Sequence, residues 1–406
     1  MMPEHTTSNG NTMHRKRIAL AAFTAAAVAA AVSAASYWQA SAEERPSPDR
    51  LQRDADAIVD VGVTGVQARV TDGDGDTRAV VSGVADIETG EAVDDEGLMR
   101  IASVTKTFVA TVVLQLAGEG ALSLDDTAED WLPGVVQAEG IDGGEITIRQ
   151  LLQHTGGLPD YADEPDWGTE AHFQRTRYDI ADPEEVLAAA LAAGPVGEPG
   201  EQWSYSNPGY IVLGMIIEEA TGHHWAKAVH DRIARPLGLE DTFWAGFTAK
   251  TPEPRAELYQ RFEPGGDLVN VTEYIDHDAS GGLVSTTEDV DRFMRALIGG
   301  DLLEPAQMEE MQRTVPVTGE GYDLIWPGGA SYGLGVFRLG FDDCGEGLWV
   351  AGGDITGAMT RAAATGDGAH SATVFSSTEL RDSLESGVAQ NLATNDLIEH
   401  ALCGRN

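Results

Sequence analysis

The apolar positions of residues 103–117 recur with helical spacing and predict a buried helix that ends at Gly118. These positions form two adjacent faces: Val104, Phe108 and Val112, then Val109, Val113 and Leu116. Shorter apolar runs bounded by Gly and Asp predict strands at 65–70 and 77–81. Further strands are predicted at 332–339, 347–351, 360–365 and 371–376.

Helical patterning dominates the middle of the chain, where Pro and Gly interrupt it repeatedly. The clearest helices of this middle region are predicted at 186–193, 210–221 and 226–233. Outside it, a short helix is predicted at 49–61 and a closing helix at 380–402. Strands followed by helices and then by strands again predict an α/β fold. Residues 54–120 and 281–403 would form its α/β part, and an all-α subdomain over 121–280 would be inserted between them.

The N-terminus has the pattern of a secretory signal peptide. A basic segment, residues 14–17, precedes an apolar run over 18–35, and Ala40-Ser41-Ala42 supplies a cleavage site. The run is about long enough to span a bilayer, so a membrane anchor is the alternative. Its weakly hydrophobic, Ala-rich character favours removal. We therefore expect a signal peptide at 1–42, a linker at 43–53 and a secreted domain at 54–403.

Charge and cysteine content restrict the partners of this domain. The chain has 66 acidic and 26 basic residues, a net charge of −40, which disfavours binding to nucleic acids and anionic lipid surfaces. The two cysteines, Cys344 and Cys403, are expected to form a disulfide in an exported protein. No cluster of metal-ligand residues accompanies them, so neither a metal nor a cofactor is expected. The sequence leaves the oligomeric state open.

Ser103 and Lys106 lie three residues apart and project from the same helical face. Ser103 also falls at the helix start, where free backbone N–H groups stabilise a developing anion. An apolar environment would lower the lysine pKa and let it activate the serine. The alternative is a capping serine beside a lysine that extends to solvent.

A second segment with candidate chemistry is the loop "PGEQWSYSNPGY", residues 199–210, which precedes a predicted helix. Tyr205 could exchange a proton with Lys106, and Asn207 could donate to a substrate carbonyl. His154, in "LLQHTGGLPDY", is either a catalytic base or a residue that stabilises the turn at a helix end, and the turn is favoured.

Together, "ASVTK", "LLQHTGGLPDY", "PGEQWSYSNPGY" and "GYIVLGMIIEEATG" resemble the serine β-lactamase-like hydrolases. This superfamily includes class C β-lactamases, penicillin-binding D-alanyl-D-alanine carboxypeptidases and related esterases. The resemblance extends from about residue 54 to the C-terminus. It implies the β-lactamase/transpeptidase-like fold, an antiparallel sheet flanked by helices, and is strongest to secreted carboxypeptidases in which a cysteine pair also occurs.

The resemblance also implies a role for each motif residue. Ser103 would be the acylated nucleophile, Lys106 its activating partner and Tyr205 the proton shuttle. Asn207 would bind a substrate amide, and Gly353 and Asp354 would line the substrate-binding strand. The backbone N–H groups of Ser103 and Asp354 would then form the oxyanion hole.

The third family motif departs from its usual form. Where Lys-Thr-Gly or His-x-Gly is usual, this chain has Ala351-Gly352-Gly353, followed by Asp354. A basic residue and a hydroxyl that help to hold a substrate carboxylate are missing. Arg338 lies near the place of a carboxylate-binding arginine, but Phe337 falls in register. Arg361 on the next strand could compensate for the missing basic residue, although an exposed arginine is favoured.

The expected function is therefore a secreted serine hydrolase that works through an acyl-enzyme. Resemblance favours a D-alanyl-D-alanine carboxypeptidase acting on peptidoglycan peptides. The altered third motif keeps open an esterase, another amide hydrolase or a β-lactamase of the same superfamily. A non-catalytic binding homologue is the remaining alternative.

Overall fold

The computed structural model describes residues 48–163, 166, 168–319, 321–341 and 344–404. The signal peptide predicted at 1–42 and the first five residues of the predicted linker lie outside the described residues. The described chain belongs to one compact unit that starts at Pro48.

The helices are α1 (Pro48–Asp60), α2 (Val104–Gly118), α3 (Ala128–Trp131), α4 (Ile148–Leu152), α5 (Glu170–Thr176), α6 (Pro183–Leu191), α7 (Asn207–Thr221), α8 (Trp225–Val229), α9 (Arg235–Leu237), α10 (Thr287–Ile298), α11 (Pro305–Met311), α12 (Tyr322–Ile325) and α13 (Leu384–Cys403). A π-helical turn, His230–Ala234, connects α8 to α9. Short 3-10 turns form at Gly143–Glu145 and Tyr161–Asp163.

The strands are β1 (Gly65–Thr71), β2 (Thr77–Asp86), β3 (Glu91–Ala92), β4 (Met99–Arg100), β5 (Gln137–Ala138), β6 (Ile141–Asp142), β7 (Phe243–Trp244), β8 (Tyr259–Arg261), β9 (Val269–Asn270), β10 (Leu283–Ser285), β11 (Val315–Pro316), β12 (Ala330–Tyr332), β13 (Phe337–Leu339), β14 (Leu348–Ile355), β15 (Ala358–Ala364), β16 (Ser371–Ser376) and β17 (Thr378–Leu380).

A nine-stranded sheet with the order β11-β12-β13-β14-β15-β16-β1-β2-β3 joins the two ends of the chain. Strand β1 pairs antiparallel with β16, from Val66 opposite Ser376 to Thr71 opposite Ser371. The predicted α/β fold with an antiparallel sheet flanked by helices is therefore confirmed. The insert over 121–280 is mainly helical, but it also contains the short strands β5 to β9.

The two faces of the sheet are covered by different helices. Leu51 of α1 and Leu397 of α13 pack on one face, whereas Phe108 of α2 and Phe293 of α10 belong to the cluster on the other. Successive residues of a strand point to opposite faces. On β14, Leu348 and Val350 face α1 and α13, and Trp349 and Ala351 face α2. By the same alternation, residue 353 faces α2 and residue 354 faces α13.

Three boundaries differ from the sequence predictions. Helix α1 begins at Pro48 and buries Leu51, so the domain includes residues 48–53, which were predicted as linker. The strand predicted at 332–339 is two strands, β12 and β13, because a turn with Gly335 at φ 88° separates them. The closing helix begins at Leu384, because residues 378–380 form strand β17 beside β8.

The structure joins Cys344 and Cys403 in a disulfide, with 4.9 Å between their Cα atoms. The bond connects the end of α13 to the loop between β13 and β14. Among the described helices, none is long and apolar enough to cross a bilayer. The described residues also contain no His, Cys, Asp and Glu cluster with the geometry to hold a metal ion.

Candidate active site

Ser103 lies at the N-terminus of α2, on a strained turn. The residue before it, Ala102, is buried and has a φ of 47°, a left-handed conformation that non-glycine residues rarely adopt. Ser103 has helical dihedral angles, and its side chain makes no capping hydrogen bond. The capping alternative is therefore excluded, and the Ser103 hydroxyl is available for chemistry.

Lys106 is buried, with 1 % of its surface exposed. Its Nζ donates to Ser103 Oγ at 2.9 Å, to Asn207 Oδ1 at 2.7 Å and to the backbone carbonyl of Ser280 at 2.7 Å. An ammonium group has three donors, so all three are used. A neutral amine keeps two donors for Asn207 and Ser280, and its lone pair then faces the Ser103 hydroxyl. The positions of Ser103, Asn207 and Ser280 thus satisfy the hydrogen bonding of Lys106 both as an ammonium and as a neutral amine.

Burial lowers the pKa of Lys106 from 10.5 to about 8, because the charged form loses its hydration. The carboxylates of Asp160, Asp278 and Asp276 oppose this shift by stabilising the ammonium. The resulting pKa leaves a substantial neutral fraction in mildly alkaline solution. Lys106 is therefore a suitable base for the Ser103 proton.

Tyr205 lies next to both Ser103 and Lys106. The Ser103 hydroxyl acts on the Tyr205 hydroxyl, and the Lys106 Nζ lies 5.0 Å from the centre of the Tyr205 ring. Desolvation raises the pKa of Tyr205 well above its ordinary value, and the neighbouring Tyr332 adds to this effect. The phenol therefore stays protonated, which suits a proton donor better than a base.

Asn207 links Lys106 to Asp160. Its Oδ1 accepts from Lys106, and its Nδ2 donates to both oxygens of Asp160, at 3.1 and 3.0 Å. An ammonium group only donates and a carboxylate only accepts, so this orientation of the amide is the one the partners require. Both ends of the side chain are occupied. Asn207 therefore orients Lys106, and its binding to a substrate amide stays a prediction.

Gly353 brings strand β14 directly against the turn that carries Ser103. A Cβ atom added at Gly353 would lie 2.2 Å from the Ile101 carbonyl oxygen and 3.1 Å from the Ser103 nitrogen. Only glycine permits this approach. The contact places the Ser103 backbone N–H beside β14, where the second oxyanion-hole donor, the N–H of Asp354, is expected.

The Asp354 side chain points away from Ser103. Its carboxylate accepts two hydrogen bonds from Arg361, at 2.7 and 3.1 Å, and Arg361 also donates to Asn391 of α13. Arg361 is 5 % exposed, so the exposed arginine expected from the sequence is wrong. The pair lies on the α13 face of the sheet, and the charge of Arg361 is neutralised there.

Arg338 is also held away from the nucleophile. It lies over the Trp349 ring, 4.9 Å from the ring centre, and donates to the Glu346 carbonyl. Phe337 instead contacts an aromatic cluster, and its ring centre lies 4.5 Å from that of Tyr332. Phe337, which falls in register with the carboxylate-binding arginine, is thus part of an aromatic cluster.

Two further acids lie near Lys106. Asp276 and Asp278 act electrostatically on Lys106 and on Tyr161, whose hydroxyl contacts the Ser280 hydroxyl at 3.3 Å. Burial and the charge of Asp278 raise the pKa of Asp276 above its ordinary value. Asp160, Asp276 and Asp278 together make the surroundings of Lys106 negative.

Sequence reasoning did not identify the supporting residues Asp160 and Ser280. Asp160 lies within the motif "HTGGLPDY", which did provide a signal. Ser280 contacts Lys106 only through its backbone carbonyl, so no side-chain pattern could indicate this contact. His154 lies at the end of α4 with a φ of 58°, and burial lowers its pKa well below 6.5, which disfavours the catalytic-base interpretation.

The fold and the convergence of Lys106 and Tyr205 on Ser103 define a serine hydrolase. The chain belongs to the Beta-lactamase family, whose family model matches residues 49–392. The D-stereospecific amidohydrolase from Streptomyces sp. superposes with a TM-score of 0.77 at 34% identity, covering 88% of this chain and 98% of that one.

One curated relative is named for penicillin binding and another as an esterase. Penicillin-binding protein 4* of Bacillus subtilis is 30% identical over 240 residues, which are 56% of this chain and 51% of that protein. Esterase EstB of Burkholderia gladioli is 37% identical over 190 residues, 45% of this chain and 46% of that protein. The matched region spans about half the length of each relative, so it does not transfer their substrates.

The lysine pKa predicts the pH dependence of acylation. Below about pH 8 most Lys106 is an ammonium and cannot accept the Ser103 proton, whereas above it the amine is neutral. We expect kcat/KM for p-nitrophenyl acetate to rise about tenfold per pH unit below this pKa and to level off above it. Initial rates across the transition measure the profile. A profile that falls through the same range would contradict this assignment of the base.

Proposed function

We propose that this protein hydrolyses amides and esters of D-amino acids or short D-peptides, and that the leaving group of its substrate carries no carboxylate. The observation that carries the proposal is the pairing of Arg361 with Asp354 on the far side of the sheet. Arg361 is the only basic residue on β14 and β15, both of which lie wholly within the described residues. The wall beside Ser103 therefore offers no free cation to a substrate carboxylate.

The negative surroundings of Lys106 support the same proposal. An anionic substrate would approach Asp160, Asp276 and Asp278 unfavourably, whereas a protonated amino group would be attracted. The similarity to a D-stereospecific amidohydrolase over nearly the whole domain agrees with an amino-acid amide as substrate and supplies the expectation of D stereochemistry.

The site residues suggest the following course of reaction. Neutral Lys106 takes the Ser103 proton as Oγ attacks the carbonyl carbon. The N–H groups of Ser103 and Asp354 stabilise the oxyanion. Tyr205 then donates its proton to the leaving amine and recovers one from Lys106. Water hydrolyses the resulting ester of Ser103, which releases the acid and restores the serine hydroxyl.

A matched pair of dipeptides tests the proposal. D-Phe-D-Ala amide and D-Phe-D-Ala share the scissile bond and differ only in the terminal carboxylate. We expect kcat/KM to be at least about tenfold higher for the amide, because an unpaired carboxylate costs on the order of 1.4 kcal/mol or more. N-acetylation, which removes the positive charge, should lower kcat/KM of the amide. Ser103→Ala is the control for background hydrolysis, and faster cleavage of the free dipeptide would refute the proposal.

The second candidate is a D-alanyl-D-alanine carboxypeptidase. Its supporting observation is that the Asp354 carboxylate faces α13 and Arg361, so it adds little repulsion on the Ser103 side. Covalent labelling by a fluorescent penicillin, lost in Ser103→Ala, would favour this candidate. Export with removal of residues 1–42 is proposed for either function, and the N-terminal sequence of the mature protein tests it.

A further inference from the structure

His154 is a buried histidine in an unfavourable backbone conformation. It follows α4 and has a φ of 58°, and 2 % of its surface is exposed. Its Nε2 has no hydrogen-bond partner among the described residues. A left-handed non-glycine residue and a buried unpaired N–H each cost on the order of 1 kcal/mol or more. A residue that lowers stability in two ways suggests a function beyond packing.

The contacts of His154 enclose Tyr205 on both sides along the chain. The N–H of Ser204 donates to the His154 carbonyl at 2.8 Å, and the N–H of Ser206 donates to His154 Nδ1 at 3.2 Å. The imidazole also packs against the Tyr205 ring, with 4.3 Å between ring centres. Three contacts from one residue thus hold the backbone before Tyr205, the backbone after it and the ring itself.

The hydrogen bond from Ser206 determines the state of the imidazole. Nδ1 accepts the hydrogen bond from the Ser206 N–H, so it carries no hydrogen of its own, and the ring is the neutral tautomer with its hydrogen on Nε2. The left-handed backbone directs the His154 carbonyl to Ser204 while the ring reaches Ser206. A residue with an acceptor two bonds beyond Cβ, in a left-handed conformation, is what this arrangement requires.

We propose that His154 is the positioning residue for Tyr205, and that its Nδ1 acceptor holds the phenol where it protonates the leaving group. The inference rests on the proton-donor role given to Tyr205 above. Proton transfer requires the donor and the leaving atom to lie within hydrogen-bond distance. A shift of the loop that carries Tyr205 therefore slows protonation of the leaving group more than any other step.

Two variants separate the acceptor from general packing. His154→Asn retains an acceptor in the place of Nδ1, and asparagine tolerates positive φ. His154→Gly also tolerates positive φ but has no acceptor. Both lose the ring, so their comparison isolates the hydrogen bond to Ser206. Thermal unfolding of both variants establishes that the measured protein is folded.

Two esters with the same acyl group provide the readout. The leaving group of p-nitrophenyl acetate departs without a proton, whereas the alkoxide of ethyl acetate requires one. We expect His154→Gly to lower kcat about 100-fold for ethyl acetate and less than about fivefold for p-nitrophenyl acetate, with little change in KM. His154→Asn should stay within about fivefold of the wild type on both esters. Tyr205→Phe, which lacks the proton donor, shows how much larger the loss on ethyl acetate should be than the loss on p-nitrophenyl acetate.

An equal loss on both esters in folded His154→Gly, or a loss in His154→Asn as large as in His154→Gly, would overturn the proposal. If His154→Gly does not fold, His154→Asn against Tyr205→Phe still decides, because a loss on ethyl acetate in His154→Asn as selective as that in Tyr205→Phe would overturn the acceptor-based role. Failure to cleave D-Phe-D-Ala amide would refute the proposed substrate class and leave this ester comparison intact.

Discussion

Lys106→Ala is expected to lower kcat/KM for p-nitrophenyl acetate by about 10⁴-fold, the largest effect of any substitution outside Ser103. The variant removes the only base within hydrogen-bond reach of Ser103 Oγ among the described residues. Tyr205 cannot replace it, because desolvation keeps its pKa well above the ordinary value and the phenol protonated. Initial rates at pH 9, about one unit above the lysine pKa, measure the loss under conditions that favour the wild type.

The matched control is Lys227→Ala. Lys227 is an exposed lysine of α8 that pairs with Asp231, four residues further along in the π-helical turn. It should leave activity unchanged and shift stability by less than about 0.5 kcal/mol. Lys106→Arg adds a second comparison, since a guanidinium keeps the charge but cannot act as the base. An active arginine variant would show that the charge of Lys106, rather than its neutral amine, is the catalytic property.

Gly353→Ala is expected to lower kcat by about 1000-fold and to destabilise the fold by about 3 kcal/mol. The new Cβ would lie 2.2 Å from the carbonyl oxygen of Ile101, a backbone atom that cannot move aside alone. Strand β14 would have to retreat from the turn that carries Ser103. This movement separates the two expected oxyanion donors, the N–H groups of Ser103 and Asp354. Steady-state kinetics and thermal unfolding measure the two effects.

The adjacent glycine supplies a control on the same strand. A Cβ at Gly352 would meet its nearest atom, Arg361 Nη1, at 3.6 Å, which is ordinary van der Waals contact. Gly352→Ala should therefore retain activity within about threefold and stability within about 1 kcal/mol. Comparable loss in both variants would show that strand flexibility, and not the approach to Ser103, makes glycine necessary at 353.

Much of the fold followed from local patterns in the sequence. The helix predicted at 103–117 is α2, and the strands predicted at 360–365 and 371–376 are β15 and β16 within two residues. These elements carry uninterrupted apolar patterns because they are buried on the sheet or against it. The strand predicted at 332–339 failed because a turn at Gly335 divides an otherwise apolar run.

The site was predictable to the extent that its side chains lie in motifs. Ser103, Lys106 and Tyr205 were selected from the sequence, and the structure brings them together. Asn207 was selected too, but its partner Asp160 was not. The hydrogen bonds from the Asn207 amide to the Asp160 carboxylate were therefore not predicted. Hydrogen bonds between residues 47 positions apart leave no trace in local spacing.

The sequence by itself determined which side chains can do chemistry, because a serine three residues before a lysine shares its helical face whatever the rest of the chain does. Tertiary structure decided which charged groups are paired with one another and which can act on a substrate or on Ser103. Strand pairing placed Arg361 beside Asp354 on the α13 face, and burial lowered the Lys106 pKa. Both results depend on the alternation of side chains across a sheet and on the loss of water from the core, and these arise only when distant segments pack together.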